Sequence, residues 1–181
     1  MSAGPRNHQE ESICLSIRPL RDGESEVIAQ VFDQLSRESA FLRFHSGMPC
    51  LPPTFLRRLS AVIPGTCEAY VAELDGLPVG VARWHRYPNE PGTADLAVEV
   101  ADSVHRRGIA TLLLRAVIES AAARGVAVLS ATVHPENRVV RRWLRSVGAE
   151  PPVAHHGDYR LSTQRALMLA RHPELSALTV R

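Results

Sequence analysis

The stretch VEVADSVHRRGIATLLLRAVIESAAA, residues 98–123, runs from an apolar strand through a basic turn into a long helix. The strand reads as TADLAVEVA, residues 93–101. The helix reads from about 107 to 124, with Leu112, Leu113, Val117 and Ile118 on one face and Gly125 closing it. Between them stand His105, Arg106, Arg107, Gly108, Ile109, Ala110 and Thr111. The first turn of a helix has N–H groups without intrahelical partners and a partial positive charge, and phosphate oxygens satisfy both. Gly108 lets the backbone approach an anion with no Cβ in the way, and the two arginines add charge nearby. The other phosphate loops do not fit, since neither GxxxxGK nor GxGxxG is present. The turn taken alone also suits a second use, in which the glycine only lets strand and helix pack closely.

Working outward, SICLSIRPL alternates, with Ile13, Leu15 and Ile17 on one face, and predicts a first strand. ESEVIAQVFDQLS predicts a helix capped by Asp22. SAFLRFHSG continues as a short helix or turn, and PPTFLRRLSAV starts another helix. CEAYVAELDGLPVGVARWHRY reads as two strands joined at Asp75-Gly76. After the long helix, VAVLSATV suits a strand buried on both faces, and ENRVVRRWLRSVGA a helix ended by Gly148. PPVAHHGDYRLSTQRALMLA reads as a last pair of strands around His156-Gly157-Asp158. The expectation is a mixed α/β fold, a mixed sheet with helices on both faces, forming one domain over 12–170. Residues 1–11 read as a mobile polar tail and 171–181 as a second tail.

Composition narrows the function. The chain has 181 residues and a net charge of +2, too weak a bias to suggest nucleic acid. The paired arginines at 57–58, 106–107 and 141–142 also lack interleaved aromatics. All 21 basic residues are arginine, so the protein has no lysine side chain of its own to modify. The three cysteines, Cys14, Cys50 and Cys67, are widely spaced, which argues against a metal site or disulfide framework. No apolar run approaches the roughly 18 residues of a membrane span, and the start has no secretory pattern. A reduced cytoplasmic setting, as monomer or homodimer, is expected.

The run HRRGIATLL resembles the pyrophosphate loop of the GNAT superfamily of N-acetyltransferases. That loop reads Gln or Arg, two residues, Gly, one residue, then Gly or Ala. Gly108 and Ala110 match, and His105 stands at the first position. ENRVVRRWLRSVGA is similar to the family's later helix, in which an Asn stands eleven positions before a Gly, here Asn137 and Gly148. IRPLRDGE, LSRESAFLRF and LPVGVARW resemble segments of bacterial protein lysine acetyltransferases, so the likeness spans about residues 13 to 169.

The resemblance implies a GNAT-like fold, a mostly antiparallel sheet flanked by helices, with acetyl-coenzyme A as co-substrate; no metal is expected. It implies that the pantetheine arm lies along Val98, Glu99 and Val100. The pyrophosphate would sit on His105 to Thr111, with Asn137 contacting or positioning the arm; Arg141 and Arg142 would either reach coenzyme phosphates or lie on a solvated helix face. Acetyl transfer to an amine needs a neutral nitrogen, and deprotonating a lysine-like ammonium at pH 7 costs about 4–5 kcal/mol. A carboxylate or a water chain ending on one supplies the base. Asp95 and Glu99 share one strand face and are the candidates, each with the alternative of pairing to an arginine such as Arg83. The resemblance puts its catalytic glutamate at Asp95. Many family members protonate the leaving thiolate with a tyrosine seven positions after the Asn; here that position is Leu144, and Tyr159 is a distant substitute. The favoured acceptor is a protein lysine. A small amine or amino-terminus is the rival, and a silent acyl-coenzyme A sensor a second one.

Overall fold

The computed structural model describes residues 14–153 and 158–170. Both expected tails and the His155-His156 turn lie outside the described residues. A six-stranded sheet runs in the order β1 (Leu15–Pro19), β2 (Cys67–Leu74), β3 (Leu77–Tyr87), β4 (Glu90–Val100), β5 (Val128–Ala131) and β6 (Tyr159–Ser162). Every pairing is antiparallel except β4 with β5. The β2–β3 hairpin closes at Asp75 and Gly76, whose φ values of 52° and 80° suit the right-handed twist of the strands it joins.

Helices α1 (Ser25–Asp33), α2 (Arg37–Phe44) and α3 (Pro53–Ser60) cover one face. There Ile28, Val31, Phe32 and Ala40 bury against Ala69, Val71 and Val81. The other face packs on α4 (Ile109–Ala123), with Leu113, Leu114 and Val117 against Ala82, Trp84 and Leu96. Trp84 is fully buried and gives its indole N–H to Ser120 Oγ at 3.0 Å; that hydroxyl in turn donates to Glu68 at 2.6 Å. The buried indole therefore keeps a partner, and the chain of bonds ties α4 to β2.

Three expectations change. Asp22 does not cap α1; its carboxylate accepts from Val62 N–H at 2.9 Å, clamping the end of α3, and Glu24 holds the cap position. The long helix starts at Ile109 rather than 107, because residues Asp102–Val104 form a separate 3-10 turn and Gly108 is left-handed. The expected last pair of strands is one strand, β6, followed by helix α6 (Thr163–Ala170). TQRALMLA is rich in strong helix formers, and Ser162 Oγ accepts from Arg165 N–H at 3.3 Å at its head. Asn137 caps the remaining helix, α5 (Arg138–Ser146), by accepting from Val140 N–H at 3.1 Å. No helix among the described residues is long and apolar enough to cross a membrane.

Candidate active site

The parallel ladder between β4 and β5 has three pairs, Thr93 with Val128, Ala94 with Leu129 and Asp95 with Ser130. Beyond it β4 continues to Val100 with its outer edge unpaired among the described residues, so the sheet forks. The hydrogen-bond pattern sets which groups face the fork. Ala101 N–H donates to Val79 carbonyl at 2.8 Å. Antiparallel pairs alternate, so Glu99, Ala97 and Asp95 also exchange bonds with β3, while Val98 and Val100 turn their N–H and C=O outward. The His105 ring agrees with that direction: its Nε2 lies 2.8 Å from Val100 carbonyl, and must carry the proton because a carbonyl only accepts.

The turn after β4 lies at the head of the fork. Arg106 and Gly108 are both left-handed, with φ of 63° and 78°. Gly108 occupies the cap of α4 with no side chain bonding the first turn. The N–H groups of Arg106, Arg107, Gly108, Ile109 and Ala110 meet no acceptor among the described residues. A Cβ built on Gly108 meets nothing within 4 Å, so close packing is not what the glycine serves. Open donors, open space and two exposed arginines make an anion cradle. Thr111 Oγ1 accepts from the Trp143 indole at 3.2 Å, holding α5 against the first turn of α4. Arg141 is occupied within the protein, donating to Tyr159 hydroxyl at 3.2 Å and Pro135 carbonyl at 2.8 Å. Tyr159 and Leu144 are both buried, each 2 % exposed.

Asp95, Ala97 and Glu99 share the face covered by α1 to α3, as the alternation predicts. Their surroundings differ. Glu99 is 8 % exposed and ion-paired with Arg43 of α2, Nε to Oε2 at 2.7 Å. Arg43, not Arg83, is its partner. Arg83 is buried and gives its guanidinium to Leu59 carbonyl, and its Nε has no partner. Asp95 is half-buried and has no ion-pair partner among the described residues. Burial pushes its carboxyl above the ordinary aspartate range; the Asp158 charge pushes the same way, against the pull of Arg43, His85 and Arg83. Tyr87 stands near the same carboxylates, and burial with their charges raises its phenol. Burial likewise raises the Cys67 thiol, which keeps it protonated and unsuited to carry an acyl group.

Sequence reasoning missed Arg43, Ser130, Thr132 and Asp158. Arg43 meets Glu99 across 56 residues and Asp158 meets Ser130 across 28, so no local pattern announces either contact. Of the two phenylalanines in SAFLRFHSG, Phe44 anchors the core against Phe32. Phe41 faces outward, its ring centroid 5.3 Å from that of His134 on the β5–α5 loop. Asp102 links the turn to α2, accepting from Ser36 N–H at 3.3 Å and Ser39 hydroxyl at 3.1 Å.

The Glu99–Arg43 pair is expected to be structural. Glu99→Ala leaves a partly buried guanidinium without its anion. A fully buried pair loses about 3–5 kcal/mol on such a change; with Arg43 a quarter exposed, about 2 kcal/mol is expected in urea unfolding.

Residues 32–149, more than half of the chain, match the sequence model of the acetyltransferase (GNAT) family. The fold is similar to the GNAT domain of S. lividans PAT, with 24% identity, TM-score 0.73, and coverage of 80% of this chain and 87% of that one. It is also similar to a cAMP-binding acyltransferase from Mycobacterium smegmatis, at 24% identity and TM-score 0.58 over 91% of this chain but 48% of that one. A third similar structure is the diaminobutyrate acetyltransferase EctA of Paenibacillus lautus, with 20% identity, TM-score 0.59, and coverage of 83% and 96%. With the forked sheet and the open glycine turn on one side and the family match on the other, the chain belongs to the GNAT family of acetyltransferases, and it is an acetyl-coenzyme A-dependent N-acetyltransferase.

Proposed function

We propose that the acceptor is a primary amine, a protein lysine side chain foremost, and that Asp95 is the base that frees its nitrogen. The observation that carries this reading is the raised, unpaired carboxyl of Asp95 where the fork opens. A base poised above the ordinary carboxylate range holds its proton more firmly and works closer to neutral pH. The outward N–H and C=O groups of Val98 and Val100 suit a pantetheine arm laid down as an added strand. For Val100 to accept from that arm, His105 turns aside. The N–H groups from Arg106 to Ala110 suit the pyrophosphate. Val98 N–H is aimed where the thioester carbonyl develops negative charge.

The chemistry is a direct transfer. Asp95 takes a proton from the ammonium, through water where the aspartate is too short. The freed nitrogen forms its bond to the acetyl carbon, the carbon–sulfur bond breaks, the nitrogen gives its second proton to water, and the coenzyme leaves as thiolate. Leu144 has no proton to give, so solvent protonates the sulfur. Glu99, tied to Arg43, shapes the cleft rather than taking the proton. The rings of Phe41 and His45, at the end of α2, stand against His134 of the β5–α5 loop, with His45 and His134 centroids 5.5 Å apart.

Similarity to the S. lividans PAT domain supports the lysine reading. EctA, solved with its substrate L-2,4-diaminobutyric acid and coenzyme A, keeps a small amine as the second reading. Thiol release from acetyl-coenzyme A, measured with lysine-containing peptides beside small amines and diamines, tests both. Faster release with peptides by tenfold or more in kcat/KM is the expected result; preference for a diamine selects the second reading. Coenzyme binding without release by any amine sinks the acceptor assignment and favours the sensor.

A further inference from the structure

Asp158 immediately precedes β6, two residues before Arg160, which pairs with Ser130 opposite Asp95, so alternation places it toward the face of Asp95. Asp95 pairs in register with Ser130 on β5, and Ser130 Oγ donates to Asp158 Oδ2 at 3.1 Å. Thr132 Oγ1 donates to the other oxygen at 2.6 Å. Two hydroxyls, from Ser130 and Thr132, thus fix this carboxylate from both sides. Neither Asp95 nor Asp158 has an arginine or histidine within ion-pair distance among the described residues, although Arg43, Arg83 and His85 stand near enough to be felt at Asp95. Arg43 is held by Glu99 and Arg83 by Leu59. The three helices cover the β2–β3 part of this face, while Arg160 at the β5–β6 end is exposed. Toward the β4 edge, this face therefore presents two carboxylates without an ion-pair partner among the described residues.

We propose that Asp158 is a specificity-determining residue of the acceptor site, binding the ammonium of an incoming cationic amine and presenting it to Asp95. This rests on the N-acetylation reading with Asp95 as base. Asp158 holds R–NH3+ as an ion pair; Asp95 removes one proton, which later passes to solvent; the neutral amine attacks the thioester; the nitrogen gives a second proton to water as the carbon–sulfur bond breaks; the thiolate leaves and takes a proton from water. Asp158 keeps its charge throughout. It is needed to bind the cation and contributes little once the nitrogen is neutral. An amine that is already neutral at assay pH gains nothing from it.

Asp158→Asn is tested by thiol-release kinetics with two acceptors, a lysine peptide and a weakly basic primary amine such as aminoacetonitrile. For the peptide, KM is expected to rise at least tenfold with kcat within about threefold. For the neutral amine, both constants should stay within about threefold, as should coenzyme A affinity by calorimetry. Asp158→Glu should recover part of the peptide KM. An unchanged peptide KM, or equal losses with both amines, overturns the proposal while leaving Asp95 and the transferase reading intact. Wild-type protein that releases no thiol with any amine overturns both. Should Asp158→Asn fail to fold, Thr132→Val loosens the same carboxylate by removing one of its two hydroxyl donors. It is expected to raise peptide KM about threefold without changing the neutral amine, and no such split overturns the assignment.

Discussion

Asp95→Asn is expected to slow acetyl transfer by about 10²–10⁴-fold, the range a positioned general base contributes, while coenzyme A still binds with wild-type affinity. The amide keeps the size of the side chain and loses only its ability to take a proton. The pH dependence follows from the raised carboxyl. In wild type, kcat/KM should climb with pH through a limb displaced above the ordinary aspartate range, as Asp95 ionises. The variant should lack that limb. Stability runs the opposite way. A carboxyl whose pKa is higher folded than unfolded favours folding below its unfolded value, and that contribution is lost as pH rises through the folded value. At neutral pH the native protein therefore carries a carboxylate its surroundings disfavour. Asp95→Asn should raise the melting temperature at pH 7 and change it little at pH 3. Slower turnover without the stability gain would mean that burial is not what sets this group apart.

Gly108→Val is expected to reduce coenzyme A affinity by about 100-fold or more, with a limited loss of stability. Two effects separate cleanly at this position. A β-branched residue held at φ of 78° is strained by about 1–3 kcal/mol. Apart from its chain neighbours, a Cβ at this position meets no atom of the described residues within 4 Å, so no core contact is broken. What the side chain blocks is the approach to the open N–H groups of the turn. Gly108→Asn is the sharper probe, because Asn tolerates the left-handed region. It should melt near wild type and still bind coenzyme A at least tenfold more weakly by calorimetry. Normal affinity in Gly108→Asn would show that the turn does not hold the pyrophosphate.

How much the chain announces depends on the range of the contact involved. The strand, turn and helix of residues 93–125 are set by neighbours in sequence, and they stand where alternation, a left-handed glycine and a 3.6-residue period put them. Asp95 and Glu99 on one face follow from the two-residue period alone. What separates their surroundings does not: it needs Arg43, brought in by a helix 56 residues away. Asp158 is inconspicuous for the same reason, since in sequence it is one more polar residue beside a glycine. The end that departs from expectation, LSTQRALMLA, is too short for period to decide, and there helix propensity outweighs the expected hairpin. Close packing at Gly108 is compatible with the sequence, and only the empty space around the residue removes it.

The three-pair seam between β4 and β5 has a mechanical meaning. Strands β5 and β6 lean on the rest of the sheet through that short ladder, with α4 and α6 bracing them from one side. A donor molecule hydrogen-bonded along the bare margin of β4 would splice the two halves of the sheet, and binding energy would emerge as resistance to local opening. Amide hydrogens of β5 and β6 should then exchange with deuterium markedly more slowly when coenzyme A is present, while those of β1 and β2 barely change. By this measure the molecule finishes assembling its sheet only when it is loaded.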